Sequence, residues 1–306
     1  MTEISELAIF YEHPDWFTPL FSALNQRGVD ARPVRPDGNW DPAGSAPPAR
    51  LIFNRMAMSS VVRADEHPIF HAMALLDHWH RAGADVINGA EVMAIDASKA
   101  RQLSLLASLG LATPATRVVH RRRDVERAAR SIGFPLVVKA NIGGSGAGIV
   151  RFDSPDQLRA AVADQHLPVS VDGVLLVQEF VPPRHGLITR IETLDRDFLY
   201  AIEVSGAGSF DLCPADGCRP DGSPISIRAV EADPALIRAA ESIAQAAGLD
   251  IGGVELMIDD RDGSARFFDI NALSNFVARP LDVLGWDPNE RLVDYLLERM
   301  TGAMTS

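Results

Sequence analysis

Lysine is nearly missing from this chain: of 29 basic residues, only Lys99 and Lys139 are lysines and the other 27 are arginines. Cysteine is scarce too. Cys213 and Cys218 are the only pair in 306 residues, too few for a disulfide framework, so a reducing cytoplasm is the expected setting. No apolar run approaches the ~18 residues that a membrane span needs. The first residues carry acids where a secretory signal would carry bases. Positive charge is in deficit: 29 basic against 41 acidic residues leave a net charge of −12, which disfavours nucleic acid and anionic membranes as partners. What remains is average for a soluble globular protein, 47% hydrophobic and 23% charged, and long enough for two domains or one large one. In a chain that uses arginine almost everywhere, a retained lysine points to a place that needs a compact ammonium on a flexible stem.

Apolar patterning sets the elements. Residues 7–11, 29–34, 51–54 and 85–89 read as strands, with helices through Phe17–Leu24 and over 65–81, which predicts a parallel α/β layer of about ninety residues. A second unit begins near residue 96. Ser98 caps a helix with Leu103, Leu106 and Ala107 at helical spacing and Gly110 at its end. Strands are expected at 115–120, 134–140, 174–181, 187–194, 198–204, 252–259 and 265–271, with helices over 124–132, after Ser154-Pro155, from Asp233-Pro234 to Gly248 and from Asp287-Pro288. Glu290 gives that last start a capping-box arrangement. The stretch 206–224 reads as irregular loop.

Three constellations carry chemistry. Lys139, at the end of an apolar strand, precedes Gly143, Gly144, Ser145, Gly146, Ala147 and Gly148. Four glycines in six positions let backbone N–H groups turn toward a phosphate without Cβ clashes, although a plain glycine-rich hairpin has the same composition. The order matches neither a Walker loop nor a dinucleotide-binding fingerprint. Further on, Glu255 lies in one strand, and Asp269 and Asn271 lie two apart on the next, so both project to one face. Two carboxylates and an amide oxygen suit Mg²⁺ or Mn²⁺ rather than zinc. Between these, Gln178, Glu179, Phe180 and Val181 run into Pro182-Pro183, a strand end whose exposed backbone can pair with an adenine edge.

Taken together, these motifs resemble the ATP-grasp superfamily, and most of all its RimK-type and glutathione-synthetase-type carboxylate–amine ligases. The resemblance covers nearly the whole chain. It implies a parallel-sheet pre-ATP-grasp domain over 1–95, in which LIFNRM (51–56) matches a strand-plus-arginine segment, followed by an α+β ATP-grasp domain over 96–306. That domain would divide into 96–181, with the glycine-rich lid, and 182–306, with the metal site. Lys99 and Lys139 then match the two ATP-phosphate lysines, Gly143 to Gly148 the lid, and Gln178 to Val181 the adenine hinge. Arg190 matches the arginine near the γ-phosphate, and Glu255, Asp269 and Asn271 match the magnesium ligands.

The chain departs from the pattern at several points. Ile188 stands where relatives carry an acidic ribose contact, for which His185 is the candidate substitute. Ala272-Leu-Ser-Asn-Phe replaces a Pro-Gly turn. Arg228 is the candidate for a cation missing from the divergent segment 205–218, which also holds Cys213 and Cys218.

The implied activity is ATP-dependent ligation of a small-molecule or peptide carboxylate to an amine through an acyl phosphate. The expected setting is the cytoplasm, as a homodimer or homotetramer. A small-molecule kinase on the same fold and a non-catalytic nucleotide-binding protein are the alternatives. The basic run His120–Arg123 and the histidines at 67, 71, 78 and 80 read as solvent-facing or packing residues.

Overall fold

A computed structural model describes residues 5–13, 15–63, 66–144, 146, 148–205 and 225–302. Its first four strands are β1 (Ser5–Tyr11), β2 (Ala31–Val34), β3 (Ala49–Arg55) and β4 (Asp85–Ile87). They form an all-parallel sheet in the order β2-β1-β3-β4. The chain leaves β1 on one side and returns on the other, so the strand order reverses between β1 and β3. At that reversal Tyr11 and Arg55 are register partners at the carboxyl ends. In open α/β sheets a crevice at this point is where ligands bind.

Strands β5 (Thr116–Val119), β6 (Leu136–Ala140), β7 (Ile149–Phe152) and β8 (Leu175–Glu179) form an antiparallel sheet, β5-β8-β6-β7. One face packs on the helices Val125–Ile132 and Pro155–Ala163 through Val125, Leu158, Val138 and Val177. The third sheet, also antiparallel, runs β11-β10-β9-β12-β13. Its strands are β9 (Leu187–Leu194), β10 (Asp197–Ser205), β11 (Ser226–Ala229), β12 (Ile251–Ile258) and β13 (Ala265–Asn271).

Both faces of this third sheet are covered. On one, Tyr200, Ile202 and Val204 join Leu7, Ile9 and Phe53 of the parallel sheet and Leu292 and Leu296 of the helix Pro288–Gly302 in one core. On the other, Ile191 and Val254 pack on Ala240, Ile243 and Ala244 of the helix Pro234–Ala247. β13 is an edge strand, and it carries two of the predicted metal ligands.

The expected elements form, with local differences. The helix expected from residue 65 starts at Ile69, because Pro68 occupies its N-cap. A helix Ala90–Asp96 and the strand β11, neither anticipated, also form. Ser98 does cap the helix Lys99–Ser108 by accepting from the Arg101 N–H. The buried positions there are Gln102, Leu103 and Leu106, however, and Ala107 faces solvent. Asp287 caps the last helix through the Asn289 N–H rather than through the residue after it. The segment 206–224 lies outside the described residues.

Candidate active site

Lys139 is buried near the end of β6. Burial, reinforced by the nearby Lys99 ammonium, pulls its amino group down to about 7, with Asp269 and Glu255 opposing. Beyond it Asn141 ties the loop to the helix that carries Lys99. The Asn141 carbonyl accepts from the Lys99 N–H at 3.2 Å, and its Oδ1 accepts from the Ala100 N–H at 2.9 Å. This side chain therefore caps the helix and holds both lysine-bearing segments together. Gly146 and Gly148 adopt φ of 71° and 74°, left-handed backbone that glycine takes without strain. Gly144 lies against Ser59 of the N-terminal unit, so close that an added Cβ would sit 3.0 Å from the serine Cβ. Ser145 lies outside the described residues.

On the third sheet Glu255 of β12 and Asp269 of β13 are register partners, and Glu255 also faces Arg190 of β9. All three point to one face. Lys99 Nζ reaches Asp269 Oδ1 at 2.6 Å, Arg190 Nη1 reaches Glu255 Oε1 at 3.0 Å, and Asn271 Nδ2 donates to the same Glu255 oxygen at 3.3 Å. Burial raises the Glu255 carboxyl. Arg190 counters this, and the Asp269 charge adds to the rise. For Lys99, burial is outweighed by Asp269, and the ammonium is held above its ordinary value. Arg190 is likewise held charged, because Glu192 and Glu255 more than offset its burial.

The donor set fits a hard cation. Among the described residues no three His, Cys, Asp or Glu side chains cluster at ligand spacing. Two like-charged carboxylates with an amide oxygen beside them nonetheless match Mg²⁺, which takes one or two carboxylates and completes its shell with water and phosphate oxygens.

The hinge residues sit at the other end of β8. Gln178 donates to Thr116 Oγ1 at 2.8 Å, and Glu179 pairs with Arg261 at 2.6 Å. The Glu179 and Phe180 N–H groups are taken by Ala115 O and Pro135 O, so of this segment the buried Val181 is the residue whose N–H no described hydrogen bond uses. Arg151 stacks on the Phe180 ring at 4.0 Å. His185, in a turn with φ of 57°, is exposed, and Ile188 is half-buried on β9.

Arg228 is not brought to the cluster. It pairs across strands with Glu203, one position out of step with Ile202 and Arg190, so it lies on the opposite face of the sheet, where it forms an exposed ion pair with that glutamate. Residues 206–224, with Cys213 and Cys218, lie outside the described residues.

A buried lysine at a strand end with a glycine loop after it thus lies beside a carboxylate pair on a second antiparallel sheet. The RimK-like ATP-grasp domain family matches residues 96–279, more than half of the chain. The chain belongs to the RimK-like ATP-grasp family.

Among curated relatives, the D-alanine–D-alanine ligase of Cupriavidus necator is 30% identical over 144 residues, covering 46% of this chain and 41% of that protein. The ribosomal protein bS6–L-glutamate ligase of Salmonella paratyphi B is 29% identical over 190 residues, 61% of this chain and 60% of that one. The chain thus spans roughly half the length of the curated relatives it matches. The solved structure of the ATP-grasp ligase PsnB with a phosphomimetic minimal precursor variant, Mg and ADP superposes with a TM-score of 0.68 at 17% identity. That match covers 97% of this ATP-grasp chain and all of PsnB.

Sequence reasoning passed over several residues that hold this site. Gln102 donates to Ile270 O and accepts from Ile270 N on the free edge of β13. Asp96, raised to about 7 by burial and then by the Asp269 charge, accepts from the Ala272 and Leu273 N–H groups. Asn88 donates to Ala272 O and Ile251 O. Arg190 lies flat on Gly253, where an added Cβ would come within 2.6 Å of Nε. Glu192 accepts from Arg190 Nε at 2.5 Å. Two of these had a signal in the pattern. Gln102 occupies an apolar position of its helix, and Glu192 is two residues from Arg190 on one strand.

Proposed function

We propose that this chain is an ATP-dependent carboxylate–amine ligase. The observation that carries the reading is one charge cluster, in which Lys99 of a helix and Lys139 of the β5–β8 sheet meet Arg190, Glu255, Asp269 and Asn271 on one face of the third sheet. ATP is the nucleotide, with its adenine at the Gln178–Val181 hinge and His185 on the ribose side. Its triphosphate lies under Gly143–Gly148 and against the two ammonium groups. Glu255, Asp269 and Asn271 would hold Mg²⁺, with Mn²⁺ a chemical equivalent. The cation, when bound, neutralises charge on the phosphate oxygens.

The substrate carboxylate attacks the γ-phosphorus, forming an acyl phosphate and releasing ADP. An amine then displaces phosphate. Arg190, its guanidinium held by Glu192 and Glu255, would offset charge on the transferred phosphoryl oxygens, and the lysines the charge spread over the polyphosphate. The glycine loop, docked on Ser59, excludes water that would otherwise hydrolyse the acyl phosphate. Residues 1–95 contribute to the substrate site and 96–306 hold the nucleotide. The substrates are a small-molecule or peptide carboxylate and an amine, the setting is cytoplasmic, and the assembly is a homodimer or homotetramer. No helix among the described residues is long and apolar enough to cross a membrane.

Calorimetry with Mg–ADP tests the nucleotide site, and lack of uptake by folded protein would refute the reading. Hydroxylamine trapping during turnover separates the ligase from a kinase on this fold, because only an acyl phosphate yields a hydroxamate.

A further inference from the structure

Both carboxylates of the proposed donor set already meet a cation of the chain itself. Lys99 Nζ lies 2.6 Å from Asp269 Oδ1, and Arg190 Nη1 lies 3.0 Å from Glu255 Oε1. The two cations are held differently. Arg190 is fixed on several sides: Glu192 accepts from its Nε at 2.5 Å, Gly253 lies against the guanidinium, and β9 sets it in register with Glu255. The Lys99 ammonium has one hydrogen-bond partner among the described residues, Asp269, at the end of a long flexible stem. Its root is the rigid part. The Lys99 N–H donates to the Asn141 carbonyl at 3.2 Å, and Ser98 caps the same first turn by accepting from the Arg101 N–H. Rotation about the stem therefore moves the ammonium while the backbone stays in place.

Charge makes this difference consequential. Lys99 and Arg190 oppose Asp269 and Glu255 one for one, so the four groups balance as they stand. The Lys99 and Asp269 side chains are only 12% and 19% exposed, so salt and water screen their attraction little. Lys99 must give up Asp269 before a divalent cation takes its place, and its charge then stands uncompensated beside two new ones. Polyphosphate arriving by itself meets two carboxylates. The two together keep the balance, since phosphate oxygens give the displaced ammonium new acceptors. Lys139 is near enough to feel the Lys99 charge, so phosphate held by one lysine lies in the field of the other.

We propose that Lys99 couples divalent-cation binding to nucleotide binding: without nucleotide it holds the cation's place on Asp269, and polyphosphate draws it away. This rests on the ligase reading and deepens it, because each ligand then strengthens the other through one side chain, by the same factor in both directions. Lysine suits the task where arginine does not. A guanidinium would grip Asp269 by two parallel bonds and give it up less readily, whereas an ammonium exchanges one carboxylate oxygen for one phosphate oxygen. Position 99 keeps its lysine in a chain with 27 arginines.

The test titrates the full chain with Mn²⁺ in the absence of nucleotide and reads bound metal from the loss of the free-ion electron paramagnetic resonance signal. Lys99→Met keeps the length of the stem and removes its charge. It should bind Mn²⁺ about 5- to 150-fold more tightly than the unaltered chain, the usual range of coupling between two sites. Asp269→Asn introduced into the Lys99→Met chain should abolish that gain, which separates this site from the rest of an acidic surface. In the otherwise unaltered chain, Asp269→Asn should change nucleotide-free Mn²⁺ binding by less than about twofold, because Lys99 already holds that carboxylate.

Equal Mn²⁺ affinity of Lys99→Met and the unaltered chain overturns the proposal, as does a gain that survives Asp269→Asn. Where Lys99→Met does not fold, the single Asp269→Asn comparison decides: a loss of about tenfold or more in nucleotide-free Mn²⁺ affinity would mean that Asp269 is open to the cation with Lys99 in place. Mg–ADP uptake by the unaltered chain is measured separately by calorimetry. Its absence removes the ligase reading and the coupling with it, whereas uptake combined with equal Mn²⁺ affinities removes the coupling and leaves the ligase reading intact.

Discussion

Gln102 pairs with Ile270 as a neighbouring strand would: its Nε2 donates to the Ile270 carbonyl at 2.9 Å and its Oε1 accepts from the Ile270 N–H at 3.1 Å. Ile270 stands between Asp269 and Asn271 on an edge strand. A helical side chain therefore completes the ladder where Asp269 and Asn271, the proposed metal ligands, project, and keeps their register. Gln102→Leu leaves two buried backbone groups unpaired and should cost about 2–6 kcal/mol of stability, from roughly 1–3 kcal/mol for each group. Urea denaturation measures it, and a loss below about 0.5 kcal/mol would show that the pairing is dispensable.

Lys139 should make nucleotide binding proton-linked. Its amino group is lowered to about 7 by burial and by Lys99, so above pH 7 the free protein carries it largely neutral. Polyphosphate favours the charged form, so Mg–ADP binding at pH 8 should take up a proton and the affinity should fall as pH rises from 7 to 9. The same lowering means that the cost of burying this charge is fully present below pH 7 and is relieved toward 10.5. Binding enthalpies in Tris and HEPES report the proton, and identical buffer-corrected enthalpies at pH 8 would contradict the linkage. Lys139→Ala should abolish turnover and the proton uptake together.

Gly253 should be irreplaceable for geometric reasons. Arg190 rests on it, and an added Cβ would come within 2.6 to 2.8 Å of Nε, Nη2 and Cζ. Gly253→Ala should displace the guanidinium and lower the rate of ADP release by about 100-fold, the order expected of a 1 Å misplacement. Mg–ADP affinity, which depends on the other sheet as well, should change by less than about fivefold. An unaltered rate would mean that Arg190 is not held in its working position by this contact.

Asp269 meets Lys99 at 2.6 Å and shares the cluster with Glu255. Asp269→Asn removes one negative charge from the donor set and should raise the Mg²⁺ concentration needed for half-maximal turnover by at least about tenfold. A magnesium titration superimposable on that of the unaltered chain would remove Asp269 from the ligand set.

Much of the fold was legible because local signals agreed. Ser98, Ser154 and Asp233 accept from helix N–H groups as their residue types predict, and the paired spacing of Asp269 and Asn271 placed them on one strand. Residue types and spacing singled out Glu255, the lysines and the hinge, the resemblance implied their roles, and the cross-strand register then brought Glu255 opposite both Asp269 and Arg190. Arg228 was not decidable in this way. Cross-strand register determines which face a side chain takes, and a one-position offset turned it away from Arg190. Asp96 and Asn88 were illegible for a related reason. Each acts on a backbone more than 150 residues away in sequence, and no local pattern encodes a partner that only chain folding supplies.

By itself the sequence determined the class of chemistry. Two lysines kept among 27 arginines, a glycine-rich turn and hard oxygen donors at strand spacing follow from residue identity and from periods of two and 3.6, which are properties of neighbouring residues. Tertiary structure decided which charges meet. Lys99 and Asp269, 170 positions apart, touch because two elements pack, and Arg55 Nε and Nη1 and Glu192 Oε2 are buried with no hydrogen-bond partner among the described residues. Burial is what turns such meetings into altered protonation and unmet hydrogen bonds, and burial is a property of the folded whole.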